Sequence, residues 1–574
     1  MELDKPVLGN AQETSTSTST SVRTADMLVD ILVAHGVEVI FGLPGGPISP
    51  LIDALIDRPE IRVVNTRSEG AAMFAAAGYA HASGKLGVAM VTTGPGVLNA
   101  MTGLTSAFCD GLPVLLLAGE VAKRNFGRGA LQDGSAYGLH IVEMLRNVTK
   151  YAAEVNDPQR APAMLRSAIR TALSGPQGPV ALTLPMDTTL AQLDSVPILS
   201  SPPIIDAGVS AEAIDETVAL MRDAKRGLLF VGSGVRRGAG PQKLIELAER
   251  AQWPVVTTPK AKGVFPEDHP LSLGVFGMGG HISAYDHLEK GVDVVVAVGT
   301  SLNELSTDGW SALLRPSEAL IHVDVDERQF GRAYPCTLGI VASAEQFLGE
   351  TAAQMPQAQE RQFGGVRRHV LQLGTGAGLP MHHALGEIQK ALPADTIFTV
   401  DSGEHFVFAT HYLKTTAPDG YVVMTGLGSM GQSLPAAVGA QLAHPNRVVA
   451  TIVGDGCFAM NAFEIATAVN AKLPLLIFVI NDGRLGMVEV GAKSVYGRTA
   501  DYPTGPMDVP QLAAALGAQT VVADQFGCIR DADLMELRKH GPVVIDVRID
   551  PTIKIPKRER FIGFAPKRIR PTLN

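Results

Sequence analysis

Gly454-Asp455-Gly456-Cys457-Phe458 is followed by Asn481-Asp482-Gly483-Arg484-Leu485-Gly486-Met487, with Asp455 and Asp482 27 residues apart; Gly426-Leu427-Gly428-Ser429-Met430-Gly431 precedes both. Residues 448–453 form an apolar run rich in β-branched side chains, which Gly-Asp-Gly breaks. Residues 462–471 carry helical spacing, and 473–480 form a second apolar run of strand length. This pattern is one βαβ unit with parallel strands. Asp455 and Asp482 then sit just past two strand ends, where open α/β sheets bind ligands. Two hard oxygen donors there suit Mg²⁺ or Ca²⁺ completed by phosphate oxygens, and the glycines allow close backbone approach to a diphosphate. The competing reading is a structural turn with two solvated acids. A lone Gly-Asp-Gly is a weak signal; the paired spacing favours the ligand site.

The same alternation of strand and helix extends outward in both directions. Strands are expected at 37–41, 61–65, 87–93, 113–118 and 180–184, then at 227–231, 255–256, 292–298 and 320–325. The fold class is therefore α/β, with three doubly wound parallel-sheet domains over 22–194, 208–352 and 379–550. The first and third share a strand–turn–helix rhythm that hints at two similar folds. Thr24 is a candidate N-cap for a helix over 24–35. Segments 195–207 and 354–378 read as linkers. Residues 1–21, with alternating Ser and Thr, read as a disordered tail, and 551–574 as a basic, Pro-interrupted arm, either packed over another surface or frayed.

Composition narrows the function. The 574 residues are 46% hydrophobic and 18% charged, an ordinary globular balance, and the net charge of −9 argues against nucleic acid as the main partner. The four cysteines form no CxxC, which suits a reducing cytoplasm and no zinc site. No run reaches membrane-span length, and the N-terminus lacks the apolar core of a signal peptide.

The paired motif resembles that of thiamine diphosphate-dependent enzymes, in which Gly-Asp-Gly is followed by an Asn-rich turn. The resemblance implies that Asp455, Asp482 and the carbonyl of Arg484 hold Mg²⁺ on the cofactor diphosphate; Asp482 stands where the family commonly has Asn. Glu69, taken alone, is a helix-start acid favoured by the dipole. The resemblance makes it the carboxyl that hydrogen-bonds a pyrimidine ring nitrogen and activates the cofactor, although the His usually before it is Ser68. Pro44, Gly45 and Gly46, with Gly94-Pro95-Gly96 and Asn99, resemble pyrimidine-side loops. Gly403, Glu404 and His405 resemble a diphosphate loop, Glu404 standing where acetolactate synthases carry Gln. Gly428 would accept the aminopyrimidine hydrogen bond through its carbonyl, beside Ser429. Met430 would be the wedge that bends the cofactor, against the plain reading of a core methionine. Gly454, Gly456, Cys457 and Phe458, with Leu485, Gly486 and Met487, complete the implied cofactor contacts.

Within that family the sequence looks most like acetolactate synthase catalytic subunits, through 94–99, 127–133 with Gln132, 277–281, 322–326 and 485–488. The resemblance implies decarboxylation of a 2-oxo acid, pyruvate first, and transfer of the two-carbon unit to an acceptor carbonyl, with Gln132 facing the intermediate. It also implies a homodimer or homotetramer, because loops from different subunits meet at one site. Three departures stand out: Leu131 replaces a Phe, Gly491 replaces a Trp, and 300–304 holds no counterpart of the Arg that grips the second 2-oxo acid. The middle domain of these synthases holds FAD. Here Gly232-Ser233-Gly234 with Gly238 is a poor dinucleotide fingerprint and reads as a plain turn, leaving FAD open but disfavoured. The rival readings are a simple decarboxylase releasing an aldehyde, which Ser68 disfavours, and a non-catalytic binding subunit, which the persistence of Glu69 and both aspartates disfavours.

Overall fold

The computed structural model describes residues 21–194, 197–198, 208–372, 374 and 376–555. Three six-stranded sheets, parallel throughout, follow one another along the chain. In the first, from Val39–Gly42 to Val180–Pro185, the first strand lies between the second and third, and the fourth, sixth and fifth follow. The third sheet, from Ile397–Val400 to Val543–Arg548, has the identical order, so the shared rhythm reflects a shared topology. The middle sheet, from Gly227–Val231 to Leu338–Val341, runs third, second, first, fourth, fifth, sixth, the order of dinucleotide-binding sheets. A two-stranded antiparallel ribbon pairs Ser21–Arg23 with Gln192–Asp194.

Helices cover both faces of each sheet, so central strands such as Val449–Gly454 are buried at every position and read as unbroken apolar runs. One continuous core joins the first and third domains, from Phe41, Met73 and Leu104 to Leu434, Val479 and Val544. Its tightest seam is between helices Glu69–Ser83 and Ser433–Ala443. A methyl at Gly439 would overlap the Ala75 carbonyl oxygen and come within 2.6 Å of the Tyr79 nitrogen. Gly78 lies as closely against the backbone of Ala436. Glycine at these two points lets the helices touch backbone to backbone, and each helix begins at a segment implicated in function.

Several local expectations change. The helix after the ribbon is Thr24–Ala34 with Arg23 at its N-cap; Thr24 donates its hydroxyl to Ala191 O at 2.9 Å, a tertiary contact in place of a cap. Gly-Asp-Gly is no free turn, since the strand ends at Gly454 and helix Asp455–Asn461 starts at once. Segment 356–372 is irregular but docked: Ile282 N–H donates to Arg367 O at 3.0 Å, and Arg368 Nε donates to His411 O at 2.8 Å. The expected tail 1–21, apart from Ser21, lies outside the described residues, as do most of linker 195–207 and the arm beyond 555.

A polar seam binds the middle domain to its neighbours. Arg236 donates to the carbonyls of Pro418 and Lys260, and Lys260 pairs with Asp110 at 2.7 Å. Fully buried Lys262 pairs with Glu267, which also pairs with Arg368. His281, His411 and His369 stack in a column with ring centroids 5.1 and 5.2 Å apart.

Candidate active site

Two groups of residues gather at the carboxyl ends of the first and third sheets. In the first, Glu69 opens its helix and is buried to 7% exposure, after Ser68 has capped that helix by accepting from Ala71 N–H at 3.2 Å. Asn99, one turn into helix Pro95–Asp110, donates to Glu69 Oε2 at 3.0 Å and fixes the carboxyl rotamer. Gln132 holds a left-handed backbone (φ 63°), a strained state for a residue with a Cβ. Its carbonyl accepts from Thr93 Oγ1 at 3.2 Å, and Gly134 N–H just beyond donates to buried Glu120 at 3.1 Å. Gly94 packs against Gln132, and Gly45 against Thr92, whose hydroxyl is buried without a partner; Pro44 and Gly46 are exposed beside it.

In the second group, strands Val449–Gly454 and Leu476–Asn481 are parallel neighbours, which sets Asp455 and Asp482 side by side as expected. Burial and the Asp482 charge push the Asp455 carboxyl up to about 6, and burial raises Asp482 as well. Thr504 donates its hydroxyl to Asp455 Oδ2. Loop 482–486 is zipped to 502–504: Leu485 N–H donates to Tyr502 O at 2.9 Å and Thr504 N–H to Gly483 O at 3.0 Å. The Arg484 carbonyl accepts from Gly486 N–H at 3.0 Å, leaving one lone pair, while its guanidinium pairs with Glu489 at 3.0 Å. Met430, Leu485 and Thr504 all surround Gly456, where a methyl would fall 2.6 Å from Leu485 Cδ2 and 3.5 Å from Met430 Cε. Gly486 leaves room between Asp482 and Glu404, and Met487 is half-buried behind it in helix Gly486–Tyr496. Gly428 has a left-handed backbone (φ 69°) and open space beside it. Phe458 is in the core and Cys457 donates its thiol to Ser402 O at 3.1 Å, so both side chains are spent inside the fold.

The wiring includes contacts the sequence did not point to. Asp401 accepts from the N–H groups of Ser402, Gly431 and Ser433 at 2.8 to 2.9 Å and so shapes the loop that carries Gly428 to Met430. Glu464 accepts from Arg67 N–H at 2.9 Å and ties the approach to Glu69 to the third domain. No local pattern marks either contact.

The second group fits a diphosphate with a divalent cation. The His405 imidazole lies against Gly403 and Gly454, burial pushes its pKa down to about 4, and its Nε2 has no partner; buried Ser429 Oγ also lacks one. Buried polar atoms left unpaired are costly unless a ligand uses them. Among the described residues no three His, Cys, Asp or Glu gather into a metal cage. A cation between the two aspartates would therefore draw its remaining oxygens from backbone and phosphate.

The glycine turn of the middle domain does not fit a dinucleotide diphosphate. Its glycine-turn N–H groups are spent inside the protein, Gly232 on Val298 O at 2.9 Å and Gly234 on Gly299 O at 3.0 Å. The N-terminus of the next helix, Gly240–Ala251, is met by the Glu345 carboxylate, which accepts from Ala239 N–H at 3.0 Å. A dinucleotide diphosphate would need those donors and would meet that negative charge.

Comparison with known proteins agrees with this geometry. The N-terminal TPP binding domain, central domain and C-terminal TPP binding domain of thiamine pyrophosphate enzymes match residues 22–138, 214–351 and 401–547. The chain is 31% identical to acetolactate synthase isozyme 1 large subunit of Escherichia coli, across 95% of this chain and 97% of that one. It is 32% identical to the isozyme 2 large subunit of the same organism, across 92% and 95%, and 31% identical to acetolactate synthase of Arthrospira platensis, across 91% and 93%. A thiamine diphosphate-dependent 4-hydroxybenzoylformate decarboxylase of Rhodococcus jostii shares the fold, with TM-score 0.83 at 24% identity over 92% of this chain and 99% of that one. Family models covering all three domains, and relatives matched over more than nine tenths of the chain, show that it belongs to the thiamine pyrophosphate enzyme family and is an acetolactate synthase-like enzyme.

Proposed function

We propose that the chain decarboxylates a small 2-oxo acid, pyruvate first, and joins the two-carbon unit to an acceptor carbonyl, using thiamine diphosphate and Mg²⁺ without FAD. The observation that carries this is the pairing of a buried, Asn-oriented Glu69 with two aspartates at adjacent strand ends. Bound thiamine diphosphate supplies a nucleophilic carbon and an electron sink. Asn99 occupies one Glu69 oxygen and leaves the other to share a proton with the pyrimidine ring. Asp455, Asp482 and the Arg484 carbonyl would hold Mg²⁺, and the Ser429 hydroxyl would offer a donor to a phosphate oxygen, with neutral His405 packed beside the loop. Met430, which lies beside Gly456, would set the bend of the bound cofactor, and Gln132, held on a left-handed backbone, would face the substrate.

Within one chain the hydrogen bonds described tie Glu69 to Asn99 and Asp455 to Thr504, and none runs between Glu69 and Asp455. Leu98, Leu131, Tyr137, Leu427, Met460 and Phe463 are exposed on the segments that carry the two groups. An apolar surface of that kind favours a second copy, so at least a homodimer is proposed. Residues 300–304 carry no cation, and Asn303 is spent on Ser306 within its own turn. An acceptor is then held with less charge selection than a guanidinium would impose.

Purified protein with thiamine diphosphate, Mg²⁺ and pyruvate tests the reading, with CO₂ followed and products identified by mass spectrometry. Acetolactate from pyruvate alone is the expected result. CO₂ that rises only with an added aldehyde or ketone would identify a carboligase with another acceptor. CO₂ with acetaldehyde alone would make the chain a simple decarboxylase, and no CO₂ from any 2-oxo acid would overturn the proposal. Glu69→Gln abolishes turnover while keeping cofactor affinity.

A further inference from the structure

Glu404 is an odd neighbour for a diphosphate. A methyl built on Gly486 would lie 3.0 Å from Glu404 Oε2 and 3.0 Å from Asp482 Oδ2, so the two carboxylate oxygens stand within about 6 Å of each other. With Asp455 beside Asp482, three carboxylates converge where an anionic ligand is to dock. Coulomb repulsion at such separations is strong wherever water is partly excluded.

The chain brings a cation to this point from its far end. Lys554 Nζ meets Glu404 Oε2 at 2.6 Å, with the two side chains 31% and 15% exposed. The path that delivers it is built. Asp550 accepts from Thr552 N–H at 2.8 Å and from Gly376 N–H at 2.9 Å, Arg484 Nη2 donates to Pro551 O at 3.2 Å, and Ile553 is buried. The start of the C-terminal arm is thus anchored to the same loop that carries Asp482 and Arg484.

We propose that Lys554 is a cofactor-binding residue of the C-terminal arm, whose ammonium neutralises Glu404 so that the thiamine diphosphate phosphates can dock beside that carboxylate. The inference rests on the thiamine diphosphate reading above. Lys554 takes no part in the chemical step; its role is electrostatic, offsetting the Glu404 charge so that one of the three carboxylates no longer opposes the ligand.

The test is isothermal titration of the full-length, cofactor-free chain with thiamine diphosphate at fixed MgCl₂, for the wild type, Lys554→Met, Lys554→Arg, Glu404→Gln and the double variant Glu404→Gln/Lys554→Met. Lys554→Met is expected to weaken binding by about tenfold or more, the scale of one lost charge-assisted contact. Lys554→Arg stays near wild type, and the double variant returns to within about threefold of Glu404→Gln, because the charge that needed neutralising is gone. Wild-type affinity in Lys554→Met would overturn the proposal, as would a double variant as weak as Lys554→Met. Absence of binding by the wild type would instead overturn the cofactor reading itself.

Discussion

Gly439→Ala separates packing from propensity at the seam that aligns the site. The added methyl would overlap Ala75 O and sit 2.6 Å from Tyr79 N, both main-chain atoms that cannot rotate away. Restoring ordinary contact requires the helices Glu69–Ser83 and Ser433–Ala443 to separate locally, at about 3 kcal/mol for overpacking of this kind. Alanine returns about 1 kcal/mol through its helix propensity, so the net loss is about 2 kcal/mol. Gly386→Ala is the matched control, in helix Met381–Ala391 with nothing within 4 Å of the new methyl, and it gains about 1 kcal/mol. Thermal and urea midpoints of the full chain should therefore move in opposite directions for the two variants. Because Glu69 starts one helix and the Gly428–Gly431 loop leads into the other, turnover falls in Gly439→Ala and holds in Gly386→Ala. If both variants shift alike, or if Gly439→Ala melts at or above the wild type, the backbone contact does not govern this seam.

Other expectations follow from the same contacts. Thr504→Val removes the hydroxyl that supports Asp455, and the Mg²⁺ concentration needed to saturate cofactor binding should rise about tenfold, the scale of a hydrogen bond to a charged group; titration calorimetry reads it. His411 donates from Nδ1 to Gly280 O and accepts at Nε2 from His369 N–H, with Arg368, His281 and Tyr412 around it, and burial pushes its pKa down to about 4. The unfolded chain takes up this proton first as pH falls from the ordinary imidazole value of 6.5. Stability from this group is complete above that pH and is lost toward pH 4, by about 3 kcal/mol in all. His411→Gln, which cannot gain the proton, should flatten that part of a stability-versus-pH curve measured by chemical denaturation. Purified protein should show no flavin absorption band, and added FAD should leave its melting midpoint unchanged; a tightly bound flavin would contradict the Glu345 and glycine-turn argument.

The central strands were legible because they are buried on both faces and read as short apolar runs, whereas the edge strands Tyr151–Glu154, Leu338–Val341 and Gln519–Ala523 are partly exposed, carry no such run and were not expected. The aspartate pair was legible for the same reason, since each acid directly follows such a run and the two runs are adjacent parallel strands. What escaped is held by contacts between distant parts of the chain. Thr504 reaches Asp455 from 49 residues away and Glu464 reaches Arg67 from 397, and neither separation leaves a periodic trace. Thr24 carries the signature of a cap, but the Ala191 carbonyl claims its hydroxyl. Segment 354–378 is polar and glycine-containing, as a free linker would be, yet its arginines are what dock it. Phe458 follows the motif faithfully in sequence while its ring belongs to the core.

The polar seam of the middle domain has a practical consequence for recombination between relatives. Arg236, Glu267 and His281 are supplied by the middle segment, whereas their partners Pro418, Arg368 and His411 are supplied by the connecting segment and the third domain. A chimera that exchanges 208–355 alone would keep Lys262 with Glu267 but part buried Glu267 from Arg368, the costly case of a buried charge that loses a counterpart. Crossover points that keep 356–372 with the middle segment, and that transplant 411 and 415–421 together with it, preserve these three pairings, while the Lys260–Asp110 pair still crosses to the first domain. The modular order of the domains along the chain is therefore a poor guide to where the protein can be cut.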